Sequence, residues 1–128
     1  MENQKKLNST NKLIANFYCN KYTNYVGTNI RYKWQFDIID SKYKNVWYEE
    51  KNLKFNTSWD WLMPVVDKIE SFTDDLNQCR YNVEIEQCFV CIIDNHNSED
   101  IIELDADKKI DAVYQAVVEF IKFYNKNK

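Results

Sequence analysis

The chain has 128 residues, a length that suits one domain spanning 1–128, and its 45% hydrophobic content can fill a core without covalent staples. It holds one Gly and one Pro, so with Gly27 alone neither a phosphate-cradling loop nor a dinucleotide fingerprint can be built. The net charge of -3 masks a split: residues 1–57 carry ten Lys/Arg against five Asp/Glu, and residues 58–128 carry seven against fifteen, which predicts a basic face and an acidic face.

The first residues, Met1 to Lys6, contain no apolar segment, and no apolar run approaches the ~20 residues of a membrane span. The expectation is a cytoplasmic protein without membrane contact, its cysteines Cys19, Cys79, Cys88 and Cys91 reduced. Residues 1–8 are polar and predicted to fray. Leu13, Ile14, Phe17 and Tyr18 then repeat at helical spacing behind Ser9 and Thr10, which predicts a short helix over about residues 10–19. Asn20, Asn24, Gly27 and Asn29 mark a loop over 20–30.

From Arg31 to Ile38 the pattern alternates, with Tyr32, Trp34, Phe36 and Ile38 on one side and Arg31, Lys33, Gln35 and Asp37 on the other. This is the period of a half-buried strand. Residues 40–45 suit a hairpin loop and 46–50 a return strand that resumes at 53–55. Thr57 or Ser58 is placed to cap a helix carrying Leu62, Val65, Val66, Ile69 and Phe72. Pro64 leaves two readings, a helix starting near Asp60 or a tight turn with a kink. Residues 81–93 read as one long strand, followed by a loop over 94–100 and a short strand over 101–104. Asp105 or Asp107 is placed to cap a final helix whose stripe is Ile110, Val113, Tyr114, Val117, Val118, Ile121 and Tyr124. The expected fold is α+β: an antiparallel sheet of three or four strands, two longer helices on one face and a short N-terminal helix.

The block Ser58–Glu70, SWDWLMPVVDKIE, resembles a signature of small proteins from Bacteroidetes genomes and their phages. Lys109–Asn125 resembles the C-terminal helix of the same proteins, and Leu13–Phe17 their opening. That family brings no catalytic residue and no cofactor with it. The resemblance implies a phage or mobile-element accessory protein that binds a host component, such as an inhibitor of bacterial defence of the anti-CRISPR type.

Read for chemistry, the residues point away from catalysis. Cys88 and Cys91 form a CxxC inside an apolar strand, where side chains three apart face opposite ways, so structural thiols are expected rather than a metal or redox pair. His96 is the single histidine, in a polar loop without the glycine that a calcium loop needs. No catalytic or metal-binding residue is therefore assigned. Binding candidates are of three kinds. Trp59 could form an aromatic platform with Trp61, although helical spacing sends Trp61 inward and Trp59 outward. Arg31, Lys33, Lys42 and Lys44, interleaved with Trp34, Tyr43, Trp47 and Tyr48, could hold a nucleotide or single-stranded nucleic acid, or could place rings in the core and cations in water. Glu99, Asp100, Glu103 and Asp105 could occupy a cationic groove on a nucleic-acid-handling host protein, or merely confer solubility. The oligomeric state stays open.

Overall fold

The computed structural model describes residues 2–18, 21–25, 31–35 and 48–127. In chain order they form α1 (Glu2–Tyr18), β1 (Lys21–Tyr25), β2 (Arg31–Gln35), β3 (Tyr48–Glu49), a 3-10 turn over Glu50–Asn52, α2 (Trp59–Ser71), β4 (Tyr81–Glu86), β5 (Phe89–Asp94), β6 (Glu99–Asp105) and α3 (Lys109–Asn127). The class is α+β, as the patterning predicts. The strands form two separate three-stranded antiparallel sheets, β1-β2-β3 and β4-β5-β6.

The second sheet carries the core. Its inner face presents Tyr81, Val83 and Ile85 from β4, Val90 and Ile92 from β5, and Ile102 and Leu104 from β6. Against it lies α3, whose Ala112, Val113, Ala116, Val117, Phe120 and Ile121 are all 0% exposed. A second apolar helix face, Leu62, Val65, Val66 and Ile69 of α2, closes the same core. Burying side chains of this size is worth about 1.5–3 kcal/mol each. Rings fill the junction of α1, α2, β4 and α3. Phe17 meets Phe72, Phe120 and Tyr124 edge to face, Tyr81 meets Phe120 at 4.9 Å, and Phe72 stacks on Tyr124 at 5.1 Å. Lys68 lies over the Phe17 ring at 4.8 Å and donates to the Phe17 carbonyl. The first sheet reaches this core through Tyr48, whose ring packs edge-on against Trp61 at 4.8 Å.

One buried polar chain ties α1 to α3. Thr10 Oγ1 lies 2.6 Å from the Tyr114 hydroxyl, which donates to Asn11 Oδ1 at 2.9 Å. Asn11 Nδ2 in turn donates to the Leu53 carbonyl and to Asn56 Oδ1. Asn11 is only 2% exposed, so each of these bonds replaces water the group has lost.

Several elements differ from expectation. α1 begins at Glu2, so the polar residues assigned to a frayed end are helical. β1 occupies the stretch read as loop, because pairing with β2 along Lys21–Gln35 to Tyr25–Arg31 overrides its turn-forming asparagine. No strand resumes at 53–55: Thr57 and Ser58 both donate to the Lys54 carbonyl, folding that stretch into a turn. Ser58 stands at the N-cap of α2 without a side-chain cap bond, and its carbonyl accepts from Trp61 and Leu62 instead. α2 starts at Trp59, which selects the first reading of Pro64: the proline sits in the second turn of an uninterrupted helix. Neither Asp105 nor Asp107 caps α3, because the Lys108 carbonyl accepts from Ala112.

The largest correction concerns 81–93, which is a hairpin and not one strand. Glu86 pairs with Phe89 across the turn Gln87-Cys88, and Gln87 takes φ 53°. That left-handed corner usually calls for Gly, Asn or Asp. The turn therefore left no compositional mark. The hairpin loop expected over 40–45 lies outside the described residues.

Tyr114→Phe should lower unfolding free energy by about 1–3 kcal/mol, because the buried Asn11 Oδ1 loses its donor. Phe120→Ala should cost about 3–5 kcal/mol. Urea unfolding of the two variants, read as midpoints at constant slope, checks both values.

Candidate acidic binding face

Because strand residues alternate between faces, the hairpin and β6 fix what the second sheet shows on the side away from the helices. Register places Glu86, Phe89 and Asp105 in one row across β4, β5 and β6. Glu84, Cys91 and Glu103 form the next row, and Asn82, Ile93 and Asp100 the third. A register shift at Ile92/Ile93 brings Asp100, and not Ile101, opposite Ile93 on this face. The result is a central ridge of Phe89, Cys91 and Ile93 flanked by five carboxylates, with no Lys or Arg among the nine positions. All five acids are exposed, and Phe89 is 43% exposed. Adjacent strands lie about 4.8 Å apart, so the two acid columns stand roughly 10 Å from each other.

Three of the four acids expected to form a binding surface, Asp100, Glu103 and Asp105, are brought together here. Glu99 pairs with Asp94 at the start of β6 and alternates to the other side of the sheet, where it is exposed. Glu84, Glu86 and Phe89 belong to the face and were not among the residues singled out from sequence. The alternation of Val83 and Ile85 with Glu84 and Glu86 was legible, but only the hairpin sets those acids beside the ones of β6. Trp59 is 38% exposed at the start of α2 while Trp61 is 6% exposed, as their helical spacing requires. Trp59 belongs to another element and adds nothing to this face. Arg31 and Lys33 lie on β2, and Lys42 and Lys44 lie outside the described residues.

Cys91 is the one buried polar group on the face, 7% exposed beneath its acidic neighbours. Burial, followed by a hydrogen bond to Asp100 and the charges of Asp100, Glu103 and Glu84, pushes its thiol up to about 11. Its sulfur and carboxylate oxygens of Asp100 and Glu103 lie within 4.8 Å of one another. These donors number three, and a proton held this firmly competes against the thiolate that zinc takes. Cys88 is half-buried in the turn, its Sγ 3.6 Å from the Asp107 carbonyl, so the CxxC residues serve separate places.

His96 is exposed and belongs to the β5–β6 turn. Its backbone N–H donates to Asp94 Oδ1, and Arg80 forms two bonds to the same carboxylate at 2.9 and 3.2 Å. These partners, Arg80 foremost, hold Asp94 below the usual carboxylate range. The arrangement pins the turn: Asn97 Oδ1 accepts from Glu99 and Asn95 Nδ2 donates to the Cys79 carbonyl. Among the described residues no nucleophile stands in hydrogen-bond contact with the His96 ring.

No protein-family model, no curated protein and no solved structure matches this chain. No helix among the described residues is long and apolar enough to cross a membrane.

Two measurements check the electrostatics of the site. In a Cys19→Ser background at pH 8, a thiol reagent should modify Cys79 first, Cys88 more slowly and Cys91 only on unfolding. The folded state holds the Cys91 proton more tightly than the unfolded chain does. The stability this contributes is intact below the ordinary thiol value and is lost as pH rises toward about 11. Asp94 runs the opposite way: its lowered value stabilises the fold above the unfolded carboxylate range and fades as pH falls. Asp94→Asn should therefore cost about 1–2 kcal/mol at neutral pH and little in acid, read by denaturant titration at both pH values.

Proposed function

We propose that the chain is a binding protein, not an enzyme, and that the acidic sheet face docks on a cationic surface of a nucleic-acid-handling host protein. The observation that carries this reading is the face itself: five carboxylates in two columns, an aromatic ridge between them, and no cation within the register that would neutralise them. Surfaces ordinarily intersperse both signs, and this face carries one sign only. Carboxylates spaced along strands by about 6.5–7 Å resemble an ordered anionic backbone, which is what a groove built for phosphates attracts. The field of such a face steers encounter, and Phe89 and Ile93 supply apolar contact once the charges have met.

Origin as a phage or mobile-element accessory protein, with host defence machinery as the target, fits this chemistry. Defence proteins that grip nucleic acid carry cationic grooves of that kind. The rival reading, single-stranded nucleic acid held by the basic aromatic strands, draws on Lys42, Tyr43, Lys44 and Trp47, which lie outside the described residues. The acidic face itself repels phosphate.

The test is affinity capture from host lysate with the native chain and with the Glu84→Lys/Glu103→Lys/Asp105→Lys variant, the fold of each confirmed by circular dichroism. A partner retained by the native chain, released as salt approaches about 1 M, and held at least about 100-fold less by the variant is the expected result. Equal retention of the same partner by both chains would overturn the reading.

A further inference from the structure

The two edges of the second sheet are treated differently. On β4, the outward backbone N–H of Val83 donates to Glu70 Oε2 of α2 at 3.1 Å, so a side chain covers that edge at Val83. β6 is the other edge, since the strand order ends there. Its outward groups can be identified. Ala106 N–H donates to the Cys88 carbonyl, so Ala106 and Cys88 face each other as a hydrogen-bonded pair. In antiparallel pairing such pairs recur at every second residue, which makes Leu104–Val90 and Ile102–Ile92 the next ones. The backbone N–H and C=O of Glu103 and Asp105 therefore point away from β5. Among the described residues no hydrogen bond reaches them.

Beside this edge runs an open groove of about 630 Å³ between α1, α3 and β6, lined by Leu7, Ile101, Ile102, Leu104 and Val118 among others. Lys6 and Lys122 also line it, with Glu103 and Glu119. The edge thus has outward backbone groups at Glu103 and Asp105, a trough of mixed apolar and polar lining below it and the acidic face above it.

We infer that β6 accepts an extended strand from the partner, one that alternates lysine or arginine with apolar residues. This rests on the docking role proposed for the acidic face and specifies how the partner engages it. An added strand lies about 4.8 Å from β6 and alternates its side chains between the two sides of the sheet. Those on the outer side fall next to Asp100, Glu103 and Asp105, where cations are favoured. Those on the inner side fall over the groove, where Leu7, Leu104 and Val118 favour apolar groups and the charges, Lys6 and Lys122 against Glu103 and Glu119, balance, with Lys122 and Glu119 3.6 Å apart. A second copy of this chain is a poor occupant, because pairing β6 with β6 would set carboxylate against carboxylate.

The experiment uses the intact protein and a short, soluble peptide of alternating lysine and valine. Anisotropy measures binding, and amide exchange followed by NMR locates it. The peptide is also made N-methylated at its lysines and, separately, at its valines. Methylation at lysine removes the donors an antiparallel strand would offer to Glu103, and methylation at valine those a parallel strand would offer. The result expected is protection of the Glu103 and Asp105 amides, with one methylated peptide weakened at least about tenfold and the other little changed. If both methylated peptides bind like the parent while Glu84→Lys/Glu103→Lys/Asp105→Lys still abolishes binding, strand addition is wrong and the acidic face stands. Binding that survives both the methylations and the charge reversal sinks both.

Discussion

Everything in this molecule depends on one packing event, the apolar stripe of α3 closing on the inner face of β4-β5-β6. Val113, Val117, Phe120 and Ile121 lose all their exposure there, against Val90 and Ile92 that do the same from the strands. The pleat then leaves no freedom on the other side. With Val83, Ile85, Val90, Ile92, Ile102 and Leu104 committed inward, the intervening residues must face out, and a slip of one residue would bury five carboxylates. The acidic face is the obligatory complement of the core, and the same register specifies both.

The two ends of the sheet show how local chemistry assigns different roles to equivalent backbone. β4 is engaged at its start, with Glu70 of α2 satisfying Val83 and the Arg80 amide bonded to the Phe72 carbonyl. At β6 the nearest elements, α1 and α3, stand off far enough to leave a trough. Edge strands ordinarily avoid unwanted pairing through charge and bulges. β6 has both, carboxylates and a register shift, yet its outward groups at Glu103 and Asp105 keep regular strand geometry. On the proposed strand addition, such an edge would discriminate among incoming strands by charge, which is a different property from being closed.

Much of the fold was legible because long periodic segments report their burial directly. The α3 stripe, the α2 stripe with Trp61 inward, the alternation at 83–86 and the existence of a strand at 31–35 all follow from period alone. What was not legible turned on tertiary pairing or backbone corners. Gln87 adopts a left-handed corner without glycine, so one apolar run hid a hairpin. The site suffered from the same miss. Asp100, Glu103 and Asp105 could be picked out as an acidic run, but Glu84, Glu86 and Phe89 join them only through the β4–β5 turn. Register also separated Glu99 from its sequence neighbours, a step that composition cannot reveal.

For the proposed docking role the free protein must tolerate an uncompensated acidic face, and for the two columns the reason it can is distance. The two acid columns are roughly 10 Å apart across exposed solvent, beyond the Debye length of about 8 Å at physiological ionic strength, so their mutual repulsion is largely screened. Repulsion inside each row is moderated by the ridge of Phe89, Cys91 and Ile93, which keeps Glu86 from Asp105 and Glu84 from Glu103. Cys91 bears the closest approach to these charges and responds by holding its proton rather than by adding another negative charge. Apart from the Cys91 thiol beside Asp100, the acids meet no Lys or Arg among the nine positions of the face. A cationic partner that displaces water from the face would strengthen every one of its interactions with the acids at once, because the local dielectric falls as the interface closes. The face therefore keeps its two columns apart in the free fold, Asp100 and Glu103 within one column being the close pair, and on the proposed docking would offer a concentrated electrostatic gain to a partner of opposite charge. That asymmetry is what would separate the proposed docking surface from a merely soluble one.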